Sequence, residues 1–153
     1  MKQASSLLLL AMVSCLLASC GSRAVPVAEL TPAERDLLTA INNYRSSHGK
    51  KALTPSASLT ELARTDAKRR ASSGQGYVDN RLETGYERML TLAGTARSGP
   101  EFGKKLMDFW ANQPAQREWL KDDYASVGVG TAAGESKLET GVVLLGGFAG
   151  GGF

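Results

Sequence analysis

The sequence predicts one α+β domain, helical over most of its length and stranded near its C-terminus. Helix start signals at Thr31 and Ser58 are each followed by apolar residues at helical spacing. A third helical segment follows Pro100, and two glycine- and valine-rich segments after Tyr124 are typical of a β-hairpin. About 130 residues remain after a predicted export signal, enough for one domain with its own core.

Residues 1–19 have the pattern of an export signal. Lys2 supplies the positive start, and the apolar run Leu7–Leu17 is shorter than the roughly 20 residues that a membrane span needs. The run ends in Leu17-Ala18-Ser19-Cys20, which resembles a bacterial lipoprotein signal, in which cleavage precedes the cysteine and its thiol receives a diacylglycerol. The alternative is an ordinary secretory signal cut nearby, which leaves Cys20 as a free thiol.

The lipid anchor predicts where the protein resides. Acyl chains at Cys20 hold a protein stably on a membrane, and the short tether up to residue 30 keeps the domain at 31–148 near its surface. Gly21 follows the cysteine where aspartate would favour retention. By resemblance to the usual sorting rule, this implies the outer membrane of a Gram-negative envelope, facing the periplasm. Residues 149–153 are expected to form a flexible Gly-rich tail.

Cysteine count and charge exclude two other classes. Of the two cysteines, Cys15 lies in the signal, so the mature chain forms no internal disulfide. The net charge of +3 is too small to indicate a nucleic-acid partner. The basic clusters Lys68-Arg69-Arg70 and Lys104-Lys105 are interpreted as solvated helix faces, with weak attraction to anionic lipid headgroups as the alternative.

The first two helices have the clearest local signals. Thr31-Pro32-Ala33-Glu34 forms a capping box with proline at the first helical position, and this helix is expected to end near His48-Gly49. Ser58-Leu59-Thr60-Glu61 is a second capping box, and its helix is expected to stop at Ser73–Gly76.

The remaining elements are predicted from apolar spacing and turn residues. Leu82–Ala93 is expected to form a short helix, Gly94–Gly99 a loop, and Pro100 the start of the next helix. Ala125–Thr131 and Gly141–Phe148 are expected to be strands joined by a polar hairpin loop. Four aromatic side chains are expected to anchor the core: Phe109, Trp110, Trp119 and Tyr124.

The segment from Phe109 to Gly130 carries a family resemblance. Its pattern W-x-x-x-P-x-x-R-x-x-L, followed by Y-x-x-V-G-V-G, is similar to the CAP superfamily, the group of cysteine-rich secretory, antigen 5 and pathogenesis-related proteins. Asn42 and Arg45, with Gly49 and Leu53, resemble the end of the family's first helix and the loop that follows. The resemblance implies a three-layer α-β-α sandwich with a small antiparallel sheet between helices. It also implies that Asn42 or its neighbour Asn43 bonds the loop backbone.

The resemblance also locates a cleft, in which metal-binding relatives place two histidines and acidic partners. Here Asn80 and Gln116 occupy the histidine positions, and Glu87 is nearest to the family glutamate. Neither amide is a good zinc ligand, and neither can move a proton near neutral pH. We therefore expect no metal and no cofactor. The single histidine, His48, falls in a segment that the family places away from the cleft.

A cleft without imidazole favours a binding module over an enzyme. Asn80, Glu87, Gln116 and Arg117 are predicted to line a polar cleft, unless Gln116 and Arg117 only tie a short helix to the strands. No G-x-S-x-G motif and no second histidine are present, and Asp122-Asp123 suits a turn. The favoured hypothesis is a monomeric, membrane-anchored module of the bacterial envelope that binds a lipid or another envelope component. An envelope hydrolase of unidentified mechanism and a purely structural protein are the alternatives.

Overall fold

The computed structural model describes residues 29–76 and 84–148 of the 153-residue chain. Residues 1–28, 77–83 and 149–153 lie outside them, and so do the predicted signal, Cys20, Asn80 and the Gly-rich tail. The helices of the described part are α1 (Pro32–Ser47), α2 (Ala57–Ser73), α3 (Phe102–Ala111) and α4 (Pro114–Lys121). Its strands are β1 (Thr54–Pro55), β2 (Arg88–Arg97), β3 (Ser126–Ala133) and β4 (Leu138–Gly147), with a 3-10 turn at Glu135–Lys137. None of these helices is long and apolar enough to cross a membrane.

The four strands form one mixed sheet in the order β1-β3-β4-β2. β4 pairs antiparallel with both β3 and β2, with Val129 opposite Val143 and Leu92 opposite the same Val143. The two-residue β1 adds a parallel pair at the β3 edge, so the sheet is not purely antiparallel. The strand nearest the C-terminus therefore lies between the two strands that precede it in the chain.

The sheet lies between two helical layers. Val127 and Val129 of β3 belong to the core cluster shared with α1 and α3, whereas Ala63 and Ala67 of α2 pack with Val142 of β4 in the second cluster. This confirms the predicted three-layer α+β sandwich, since successive side chains of a strand point to opposite faces.

Two glycines of β3 allow α2 to approach the sheet. A Cβ added at Gly128 would lie 2.1 Å from the backbone carbon of Leu59, and one at Gly130 would lie 2.2 Å from the backbone nitrogen of Arg64. Neither distance is compatible with a side chain. The V-G-V-G pattern thus packs valines on one face of β3 and leaves the other face bare for α2.

The predicted helix at Leu82–Ala93 is wrong over its described C-terminal half, because Arg88–Arg97 is strand β2. Leu90 and Leu92 pack on the cluster of α1 and α3, whereas Met89 and Ala93 pack on the cluster of α2. A strand that is covered on both faces has an unbroken apolar run without period-2 alternation. Leu, Met and Ala also favour helices, and this combination misled the prediction.

Smaller corrections concern boundaries. The predicted loop at Gly94–Gly99 is wrong up to Arg97, which ends β2, and α3 begins at Phe102, two residues after Pro100. α2 begins at Ala57 after Ser56, and no side chain caps it, so the second capping box is not formed. Strands β3 and β4 begin and end within three residues of the positions predicted for them.

Of the four aromatic residues expected in the core, only two lie there. Trp110 is fully buried, with Nε1 donating to the Ala93 carbonyl at 3.3 Å, and Tyr124 packs partly buried on the same cluster. Phe109 and Trp119 are 51% and 38% exposed. The expectation was wrong for these two because the buried faces of the short helices α3 and α4 are covered by Trp110 and Leu120 instead.

Helix α1 forms as predicted, and the motif residues Asn42 and Arg45 near its C-terminal end bind it to other segments of the fold. Thr31 and Glu34 make both bonds of the capping box. Asn42 accepts the Leu53 N–H at 2.8 Å and donates to the Leu53 carbonyl at 3.3 Å, which confirms the predicted loop contact. Arg45 is buried and donates to the carbonyls of Lys51, Leu120 and Asp122 at 3.0, 2.7 and 2.9 Å.

Candidate functional site

Helix α4 carries Gln116, the residue that the resemblance aligns with a family histidine. Pro114 occupies the first helical position, where its missing N–H costs no hydrogen bond, and Leu120 is fully buried. The bonds from Arg45 to the Leu120 and Asp122 carbonyls fix the C-terminal end of the helix to α1. The C-terminal end of the short helix that carries Gln116 is therefore fixed to α1.

Gln116 presents a buried acceptor that has no donor. The residue is partly buried, and its Oε1 is inaccessible to solvent while accepting no hydrogen bond. A buried polar atom without a partner costs about 1–3 kcal/mol. Such an atom in a folded protein needs an explanation, and a donor supplied by a ligand or water is one.

Arg88 brings the segment of Glu87 to the end of α4. Its guanidinium donates to Asp122 Oδ2 at 3.3 Å and to the Asp123 carbonyl at 2.6 Å, and lies 5.0 Å from the centre of the Tyr124 ring. Glu87 is exposed immediately before β2. The structure thus places Glu87 next to the residue that contacts the C-terminal end of α4, whereas Gln116 lies in the first turn of that helix.

The Arg88 guanidinium also acts electrostatically on the Tyr124 hydroxyl. Burial raises the pKa of the Tyr124 hydroxyl, the charge of Asp122 raises it further, and the charge of Arg88 opposes both. The Nε of Arg88 is buried and donates to no acceptor. The sequence analysis did not identify Arg88, because no motif marks it and its partners lie across the end of β4.

Arg117 faces solvent beside Gln116. It is exposed, and its Nε lies 3.7 Å from Glu118 Oε1. A hydrogen bond from Lys121 and the charges of Lys121 and Arg117 together lower the pKa of Glu118 despite a small opposing desolvation. Surface ion pairs of this kind contribute little to stability. The role predicted for Arg117 in a cleft stays a prediction.

The residues at the family's histidine positions do not fit zinc. Gln116 offers an amide oxygen, whereas zinc in proteins prefers nitrogen, thiolate and carboxylate ligands. His48 is exposed at the end of α1, with Nδ1 2.8 Å from the Tyr44 carbonyl and its ring 4.2 Å from that of Tyr44. In the described part of the chain, no group of three or more His, Cys, Asp or Glu residues is arranged to hold a metal ion.

One cavity of about 400 Å³ lies between α1 and α3, away from the predicted cleft residues. Its floor is formed by Ala40, Tyr44 and Met107, and its rims carry polar side chains, among them Asp36, Asn43 and Asp108. The position of this cavity was not anticipated, because it depends on the packing of two helices that are distant in sequence.

Comparisons with known proteins agree with the fold. The model of the cysteine-rich secretory protein family, CAP, matches residues 38–145. An outer surface protein from Borrelia burgdorferi superimposes with a TM-score of 0.64 at 14% identity, covering 84% of this chain and 99% of that one. A cysteine-rich secretory protein from Staphylococcus aureus superimposes with a TM-score of 0.62 at 19% identity, covering 79% of this chain and 40% of that one. No curated protein matches the sequence significantly.

The family match covers most of the described domain, from within α1 to Leu145 in β4. The two solved structures share its layered arrangement of helices and sheet at low identity. The chain therefore belongs to the CAP, or cysteine-rich secretory protein, family.

Proposed function

We propose that this protein is a lipid-anchored CAP domain of the bacterial cell envelope that binds a ligand without transforming it. The observation that carries the proposal is Gln116. An amide stands where metal-binding relatives use an imidazole, and its buried Oε1 accepts no hydrogen bond. An amide can bind a donor, but it cannot exchange a proton near neutral pH or hold zinc well.

The envelope location follows from the sequence of the N-terminus. Cys20 closes a short apolar signal, and a lipidated cysteine there would place the domain on a membrane. The Borrelia relative, described as an outer surface protein, is consistent with such a location. Gly21 favours the outer membrane, with the domain in the periplasm.

The ligand is a hydrogen-bond donor, because the atom that awaits it is an acceptor. A lipid headgroup or a cell-wall fragment with hydroxyl, amide or ammonium groups has this chemistry. The unpartnered acceptor raises the free energy of the unliganded protein. A ligand that donates a hydrogen bond to it removes this cost, and the gain contributes to the binding free energy. The predicted lining by Asn80, Glu87 and Arg117 would add polar contacts around Gln116.

Two measurements test the proposal. Mass spectrometry of the protein purified from membranes should show acyl groups at Cys20 that the Cys20→Ala variant lacks. A thermal-shift screen of residues 20–153 with muropeptides and phospholipid headgroups should find a ligand whose shift is lost in Gln116→Leu. Ligand-dependent turnover would instead favour an enzyme. A screen without shifts, or a shift that Gln116→Leu retains, would argue against this binding site.

A further inference from the structure

The point at which the chain enters the domain is fixed against α2. Leu30 is buried, and Arg64 Nη2 donates to the Glu29 carbonyl at 3.3 Å while Arg35 donates to the Leu30 carbonyl. Arg64 also holds the buried Glu34 through two hydrogen bonds of 2.7 Å. The described chain therefore begins between the first turn of α1 and the middle of α2.

The distance from this point to the anchor is short. Eight residues separate Cys20 from Glu29, so the connection spans at most about 30 Å even when fully extended. The inference drawn here rests on the proposed anchor: with Cys20 in a bilayer, the first turn of α1 and the middle of α2 are the helical segments beside the point from which the domain is held.

α2 is also the most basic helix in the described part of the chain. It carries four basic and two acidic residues, against two and two in α1 and two and one in both α3 and α4. One acidic residue, Asp66, is fully buried and paired with Arg70 at 3.0 Å, which leaves Glu61 as the exposed acid of this helix.

Two of the basic residues of α2 have no carboxylate partner among the described residues. Lys68 is exposed and lies one helical turn after Arg64, on the side where the tether leaves. Arg69 Nη1 donates only to the Gly76 carbonyl, at 3.4 Å. By contrast, Lys104 in α3 pairs with Asp108 at 2.6 Å, so that basic cluster is partly neutralised.

We propose that the face of α2 around Lys68 and Arg69 docks on the anionic phospholipid headgroups of the bilayer that holds the anchor. Each basic side chain near such a surface favours the docked state about fivefold, within a Debye length. This attraction is weak for a free protein, but the tether makes docking intramolecular and raises the effective concentration of the surface.

Docking through α2 orients the rest of the molecule. α4 and Gln116 belong to the layer on the other face of the sheet, so they are directed away from the bilayer. The ligand of the proposed function then reaches the site from the aqueous side, which favours a cell-wall or soluble envelope component over a lipid still in the bilayer.

The chain offers a direct test, because residues 20–153 contain a single thiol. Every residue of the two described core clusters lies between Leu30 and Leu145, so this fragment keeps the whole described core. Its Cys20 is coupled to a maleimide phospholipid in vesicles of phosphatidylglycerol and phosphatidylcholine in equal parts, or of phosphatidylcholine alone. Acetylation of each lysine by a water-soluble ester is then followed by mass spectrometry.

Docking predicts that Lys68 reacts at least about threefold more slowly on anionic vesicles than in the uncoupled protein, and that Lys105 does not. High salt and Arg69→Glu should each remove the protection, because both weaken the electrostatic attraction. The matched variant Lys105→Glu changes an equal charge on α3 and should leave Lys68 protected.

Equal protection on both vesicle types would overturn the proposal, since it would reflect crowding by the tether alone. Protection of Lys105 or Lys121 in place of Lys68 would also overturn it. The layer of α3 and α4, which carries the exposed Phe109 and Trp119, would then face the bilayer. Because the maleimide supplies the anchor, this result is independent of whether cells acylate Cys20, and the failure of either proposal can be recognised separately.

Discussion

The guanidinium of Arg88 lies 5.0 Å from the centre of the Tyr124 ring, although Arg88 begins β2, Tyr124 precedes β3, and β4 lies between these two strands. Gly147 of β4 makes the crossing possible, since a Cβ there would lie 3.3 Å from Tyr124 and 3.4 Å from Arg88. The same guanidinium donates to Asp122 and Asp123. One side chain thus links the start of β2 to the turn between α4 and β3.

Replacing Arg88 by alanine should destabilise the domain by about 1 kcal/mol. The side chain is 42% exposed, so its ion pair is screened, and the backbone hydrogen bond and the aromatic contact supply most of the effect. Urea unfolding measures the change. Arg97→Ala at the other end of β2 is the control, because the side chain of Arg97 makes no hydrogen bond or ion pair with another described residue and its loss should change stability by less than about 0.5 kcal/mol. Equal effects of the two variants would contradict this role of Arg88.

Alanine at Gly128 or Gly130 should destabilise the domain by at least about 2 kcal/mol, because each new methyl group would meet the α2 backbone at about 2 Å. Gly134→Ala is the matched control. Its Cβ would find its nearest neighbour at 3.6 Å, and the substitution should be nearly neutral. Thermal unfolding followed by circular dichroism compares the three. A mild effect at both Gly128 and Gly130 would mean that α2 does not pack against β3 this closely.

Replacing Asn42 by alanine should cost about 1–2 kcal/mol, since both hydrogen bonds to Leu53 are lost and buried backbone groups are left without a partner. The neighbouring Asn43 is exposed on the rim of the cavity, and Asn43→Ala should change the free energy of unfolding by less than about 0.5 kcal/mol. Chemical denaturation of both variants measures these changes in the free energy of unfolding. A larger loss for Asn43→Ala would reverse the assignment.

The Glu34–Arg64 pair should make stability depend on acid pH. Burial alone would raise the pKa of Glu34, but hydrogen bonds from Arg64 and Thr31 and the charge of Arg64 outweigh it, so the folded pKa is lowered. A lowered folded pKa adds stability that is complete above the unfolded value of about 4.3 and is lost as the pH falls through the folded pKa.

Glu34→Gln should therefore lose about 2 kcal/mol at neutral pH, and this difference from the wild type should shrink as the pH falls below about 4. Urea unfolding across that pH range measures it. Glu61→Gln, which removes an exposed carboxylate from α2, is the control and should lower the neutral-pH stability little. A Glu34→Gln deficit that stays constant with pH would show that lost packing, and not the ionised carboxylate, is responsible.

Isothermal titration of residues 20–153 with zinc should show no sub-micromolar binding. The resemblance aligns the amides of Asn80 and Gln116 with the positions at which the family places histidine ligands. The His48→Ala variant removes the single imidazole and controls for weak surface binding. Tight binding that persists in His48→Ala and disappears in Gln116→Ala would refute the metal-free interpretation of the cleft.

A structural feature could be predicted from the sequence when the residues that determine it lie close together in the chain. α1 was predicted correctly because Thr31, Pro32 and Glu34 determine its start within a single turn. β2 was missed because its apolar residues pack against two different helical layers, and no local pattern encodes that. Phe109 and Trp119 were misplaced for the same reason, since the face that a short helix buries depends on its neighbours.

The same distinction between local and long-range causes applies to the candidate site. The replacement of histidine by Gln116 could be identified from the motif alone. Its unsatisfied oxygen could not, because burial of one atom depends on packing. The motif residues Asn42 and Arg45 bind backbone groups far along the chain, so they maintain the frame and take no part in the cleft. Arg88 had no signal, because its partners lie 34 and 35 positions away.

The order of the strands has a consequence for biogenesis. β4 is the last strand to be synthesised, yet it supplies the only pairing partner that β2 has within the described residues, and most of the pairing of β3. Until β4 has been made, β2 has no partner among the described strands, β3 can pair only with the two residues of β1, and Val142 through Leu145 are missing from both cores. The described sheet therefore cannot be completed before β4 has been synthesised, so the domain acquires its core late relative to its synthesis.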